Sequence, residues 1–164
     1  MITERELFPR VRLLVKDTEK ARYSDYEVRA SVSAAVDMLC ESLKKYFSRE
    51  LVRTVKLELD EDSYCPLPDG FLYAVGVWDK NDDECEFIIE GGELYTEKGV
   101  ALSYAKHPGY EEIDLPAGFL IHIADVAASL LRGDTNVAQE KSDAAARAKN
   151  TDKSAPLPDP IMWG

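Results

Sequence analysis

Long apolar runs are missing from this 164-residue chain. None approaches the roughly 20 residues that span a bilayer, so no membrane-crossing helix is expected. Cysteine is scarce. Cys40, Cys65 and Cys85 are odd in number, widely spaced and set in apolar or mixed stretches, which suits free thiols better than a disulfide framework or a metal site. His107 and His122 are the only histidines, and neither stands at a metal-ligand spacing from a cysteine or carboxylate. His122 and Asp125 fall on one helix face, a spacing that reads as a structural hydrogen bond or an interface contact. No serine-hydrolase elbow, Walker loop or dinucleotide fingerprint occurs. Asp79, Asp82, Asp83 and Glu84 lack the central Gly and terminal Glu of an EF-hand loop, so they read as a solvated turn. With no nucleophile–base pair or metal set to name, the chain is read as a non-enzyme without a cofactor. The first residues, Met1-Ile-Thr-Glu-Arg-Glu6, have neither the basic start nor the apolar core of a signal peptide, and a cytoplasm-like compartment is expected.

Basic residues are nearly absent from one segment. Residues 58–97 carry thirteen acidic side chains against Lys80 alone, a net −12, while the whole chain carries −11. The rest of the chain therefore sums to +1. Such a surface repels nucleic-acid phosphates, which argues against sequence-specific DNA binding. It suits a solvated sheet that aids solubility, or the wall of a passage to which DNA must not stick.

The pattern predicts helices, then strands, then helices. Residues 3–15 form a weak helical stripe through Leu7, Val11, Leu14 and Val15. Ser24-Asp-Tyr-Glu27 is a capping-box sequence. It opens the strongest predicted helix, about 25–47, with Val28, Val32, Ala35, Leu39, Leu43 and Phe47 on one stripe and Val36 and Cys40 widening it. Alternation at Val55, Leu57 and Leu59 predicts a half-buried strand, broken at Tyr64-Cys-Pro-Leu-Pro-Asp-Gly70. Strands are expected over 71–78, 85–90, 93–96 and 100–106, with Gly91-Gly92 as a hairpin turn, together a small antiparallel meander. After Leu115-Pro116 comes an apolar helix through Phe119, Ile123, Val126, Ala127, Leu130 and Leu131, expected at the centre of the domain. A last, Ala-rich helix over 136–149 is weakly amphipathic through Val137, Ala144 and Ala148. The fold class expected is α+β: a mainly helical bundle of about four helices with an inserted β-meander (about 52–106) in one domain over 1–150.

The remaining segment, 151–164, reads as an extended arm. In Ala155-Pro-Leu-Pro-Asp-Pro-Ile-Met-Trp-Gly164 the prolines suit neither helix interiors nor central strands. They lead to an apolar knob of Ile161, Met162 and Trp163. A bare Trp needs a pocket, supplied by a neighbouring subunit, by another protein, or by its own domain.

In their order along the chain, four pieces resemble the head-to-tail connector (adaptor, or head-completion) proteins of tailed bacteriophages. Arg22-Tyr-Ser-Asp-Tyr-Glu27 is similar to the entry into that family's long helix, and Tyr64-Cys-Pro-Leu-Pro-Asp-Gly-Phe71 to its proline-marked approach to a strand. Gly92-Glu-Leu-Tyr95 with Val100-Ala-Leu-Ser-Tyr104 resembles its strand pair, and Leu115-Pro-Ala-Gly-Phe119 the start of its last core helix. The proline-rich arm and the extent of the acidic β-region depart from the common pattern.

The resemblance implies a structural virion protein located in the neck, and in the host cytoplasm during assembly. It implies a ring, commonly of twelve copies, that joins the portal to a tail or tail-terminator (nozzle) protein. Double-stranded DNA would pass through without specific binding. By that analogy Leu157, Pro158, Pro160, Ile161, Met162 and Trp163 are the arm residues expected to grip a partner, and Asp82, Asp83 and Glu84 a loop expected to face the channel. The other reading of the residues is a cytoplasmic binding module acting through the acidic β-region.

Overall fold

The computed structural model describes residues 1–150. In chain order the elements are β1 (Ile2–Thr3), α1 (Glu4–Leu14), α2 (Asp25–Lys45), β2 (Val52–Lys56), β3 (Tyr64–Pro66), β4 (Phe71–Trp78), β5 (Glu84–Cys85), β6 (Ile88–Glu90), β7 (Glu93–Tyr95), β8 (Ala101–Lys106), β9 (Glu112–Ile113), α3 (Phe119–Leu131) and α4 (Thr135–Asn150). The architecture is mixed α+β, and every strand pairing is antiparallel. The described residues divide into two compact units, 1–50 with 108–150, and 51–107.

The first unit holds the four helices. α2 begins where its capping box specifies: the Ser24 hydroxyl accepts from the Glu27 N–H at 3.1 Å, and the Ser24 N–H donates to Glu27 Oε2 at 2.7 Å. Its predicted stripe is buried from Val28 to Leu43, with Val36 and Cys40 as the second row. Phe47 departs from the expectation. The helix ends at Lys45, Phe47 takes a left-handed φ of 55°, and its ring is exposed. α3 packs on α1, α2 and α4, burying Phe119, Ile123, Val126 and Ala127. The amphipathic face predicted for α4 is also wrong. Val137, Ala144 and Ala148 are exposed, and Ala138, Ser142, Ala145 and Ala146 face inward. Small side chains allow close approach there, and the Ser142 and Ser42 hydroxyls meet at 2.8 Å. Sequence hydrophobicity favours Val137, but the packing surface selects small size. The pair of β1 with β9, which no periodicity announced, joins Ile2 to Ile113 in register.

The second unit carries two sheets, ordered β2-β8-β4-β5 and β3-β7-β6. This is not the sequential order of a meander, because β8 lies between β2 and β4. Two other expectations fail locally. The stretch 85–90 is not one strand: β5 pairs with β4 and β6 with β7, in different sheets. Tyr64–Pro66, expected as a break, forms edge strand β3. Pro66 is tolerated there because Leu67 N donates to Gly92 O and Thr96 N to Ser63 O. The alternation points position 66 away from β7, where no N–H is needed. Gly91 and Gly92, at φ 61° and 78°, make the predicted two-residue hairpin between β6 and β7. The core of this unit gathers Cys65, Val77, Leu94, Leu102 and Tyr104, with Leu57, Leu59 and Phe71 packed against it.

Candidate functional site

Asp82, Asp83 and Glu84 lie in and just after the turn between β4 and β5, and all three are exposed. Asp79 builds this turn. Its Oδ1 accepts from the N–H groups of Asn81 at 2.7 Å and Asp83 at 3.0 Å, and its own N–H donates to the Asp83 carbonyl at 2.9 Å. Asp82 takes the left-handed φ of 61° that closes the turn. Asp and Asn tolerate that conformation and hydrogen-bond their own backbone, which is why a run of them folds here rather than extending a strand.

The acidic charge is projected outward. Of the thirteen carboxylates in 58–97, all but Asp79 are exposed. In the helical unit, ion pairs join Arg12 to Asp17 and Asp25, Lys20 to Asp25, Arg29 to Glu4 and Lys45 to Asp143. Within 58–97 Lys80 is the one basic side chain set against this charge, and solvent ions screen the field over a Debye length of about 8 Å at physiological salt.

Beside the acidic turn lies an open recess of about 410 Å³, lined among others by Asp79, Glu84, Cys85, Phe87, Tyr95 and Lys98. Burial, then the nearby Asp79 charge, pushes the Cys85 thiol up. The Tyr95 hydroxyl, which donates to Glu97 Oε1 at 3.2 Å, is likewise raised by that bond and by burial. Both groups hold their protons at neutral pH. The recess presents carboxylates, a thiol and aromatic edges, a surface for cationic or amphipathic groups. Burial, reinforced by Asp37 and Glu41, raises Cys40 to about 12. Among the described residues no set of three His, Cys, Asp or Glu is placed to hold a metal ion, and no helix is long and apolar enough to cross a membrane. His122 sits edge-on to Phe119, ring centroids 6.2 Å apart.

The arm residues Leu157, Pro158, Pro160, Ile161, Met162 and Trp163 lie outside the described residues. Sequence reading missed a second feature, around Arg12. This arginine is buried, and its guanidinium donates to Asp17 Oδ2 at 3.1 Å, the Tyr23 carbonyl at 2.9 Å and Asp25 Oδ1 at 2.7 Å. Asp17 in turn accepts from the N–H groups of Ala21, Arg22 and Tyr23. The network holds the 17–23 connection and positions the cap of α2. Its only sequence signal is a charged residue inside the apolar stripe of α1.

No known protein family matches this chain, and no curated protein matches it significantly.

Proposed function

We propose that this chain is a head-to-tail adaptor of a tailed bacteriophage, a structural virion protein that forms a ring under the portal, joins it to the tail and lines the DNA passage. The observation that carries the reading is the order of the four resembling pieces along 20–133. Each leads into or lies on a regular element: the capping box opens α2, the proline-marked stretch leads into β4, the third piece lies on β7 and β8, which stand in different sheets rather than pairing, and Leu115-Pro116 leads into α3. Along the chain the strands β2–β9 fall between helices α2 and α3, which suits the bundle with an insertion expected from the sequence pattern. The net-acidic surface of 58–97 is what a non-sticking DNA passage requires, since like charge denies phosphates a binding site. The arm 151–164 supplies the grip, on portal, tail or sister subunit.

The test is mass by light scattering, for full-length protein and for a variant lacking 155–164, each alone and mixed with a portal ring. A ring or a portal complex that requires the arm is the expected result. Two forms that both stay monomeric and ignore the portal would remove the adaptor reading. They would favour the second reading, a binding module, which the acidic recess at Cys85 and Tyr95 supports.

A further inference from the structure

Among the described residues, edge strands β2 and β6 of the β unit have no strand beyond them, and they carry opposite charge. β2 ends one sheet and β6 ends the other. In β2, Leu57 N donates to Val100 O and Lys106 N to Leu51 O, so odd-numbered residues from 51 to 57 bond to β8. The backbone groups of Val52, Thr54 and Lys56 therefore point outward. In β7, residues 92, 94 and 96 bond to β3, which leaves Glu93 and Tyr95 to bond Glu90 and Ile88 of β6. The backbone groups of Phe87 and Ile89 then point to the open side. Edge strands are usually blunted by charge. Here the charges differ in sign: β2 offers Arg53 and Lys56, whereas β6 carries Glu90 and is preceded by Glu84 and Glu86. The edges also expose apolar groups, Val55 at 37% and Ile88 at 59%.

We infer that the outer edge of β2 in one copy pairs antiparallel with the outer edge of β6 in the next copy. One register satisfies every constraint. Thr54 with Ile89 and Lys56 with Phe87 exchange backbone hydrogen bonds, since all four present outward groups. The intervening, non-hydrogen-bonded pairs are then Val55 opposite Ile88 and Arg53 opposite Glu90, an apolar contact and an ion pair. Val55 is in register with Leu102, so the incoming Ile88 extends the face that carries the core. Arg53 already donates to the Val52 carbonyl at 2.9 Å, which caps the ladder at that end. Because the two edges differ, the contact is heterologous and propagates from copy to copy until it closes as a ring. The inference rests on the self-association in the adaptor reading, and it names the surfaces.

Cysteines at a non-hydrogen-bonded antiparallel pair stand about 4.5 Å apart at Cα, within disulfide range. In a Cys85→Ser background, Val55→Cys plus Ile88→Cys in one chain should give a covalent ladder beyond dimer on mild oxidation at high protein concentration. Mixing the two single variants should stop at a disulfide-linked dimer, and each single variant alone should form no intermolecular disulfide. A disulfide-linked dimer from either single variant alone, or no intermolecular disulfide in the double variant, overturns the inference. Charge reversal gives an independent reading without cysteines. Arg53→Glu should weaken self-association at least tenfold by sedimentation, and adding Glu90→Arg should restore it; unchanged association in Arg53→Glu overturns the pairing. Portal-dependent rings that persist while these tests fail would remove the edge pairing and leave the adaptor reading standing.

Discussion

Asp17 shows how much one buried carboxylate organises. Burial opposes its ionisation, but the N–H groups of Arg22, Tyr23 and Ala21, together with the Arg12 charge, outweigh that and hold it below the ordinary carboxylate value. Asp25 is also held low, first by its hydrogen bond from Arg12. A depressed folded pKa means that the unfolded chain takes up the proton more readily. The stabilisation is therefore complete above the ordinary value of 3.8 and is lost as pH falls through the depressed one. Asp17→Asn should lower the urea midpoint at neutral pH and flatten its further fall between about pH 5 and 2. Parent and variant losing equal stability over that range would show that the acid sensitivity lies elsewhere. The network was illegible in the sequence because its members, Arg12, Asp17 and Asp25, look like surface charges until the 17–23 connection folds over them.

At the scale of elements, local chemistry was the most readable part. Ser24 and Glu27 marked the start of α2, and Gly91-Gly92 marked a hairpin, because caps and tight turns are decided by residues within three or four positions of each other. Ser24→Ala should cost about 1 kcal/mol, seen as a lower urea midpoint for the helical signal at 222 nm. Ser24→Asp, which keeps an acceptor at the cap, should retain most of it; equal losses in both would mean that the cap contributes nothing. Partner-dependent elements were misread. α4 turned its small residues inward, and 85–90 split between two sheets, because each choice depends on what the facing element offers. β1 and β9, of two residues each, are too short for any periodicity to register.

For the whole molecule the dominant quantity is charge. Replacing Asp82, Asp83 and Glu84 by Lys changes the net charge of 58–97 from −12 to −6, without touching Asp79, which builds the turn. If this loop faces the passage of an adaptor ring, particles carrying the triple variant should assemble and eject DNA more slowly, measured as release over time from purified particles. Unchanged ejection from intact particles would remove the loop from the channel wall.

The sequence by itself determined the four helices and the longer strands between them, the main buried stripes of α1, α2 and α3, and the concentration of acid in one segment. These are properties of spacing and composition, which do not depend on how the chain closes. Tertiary structure alone decided the two-sheet pairing of the β unit, the inward face of α4 and the Arg12–Asp17–Asp25 network. Each of these joins residues whose partners are set by long-range packing, where size and hydrogen-bond geometry override local preference.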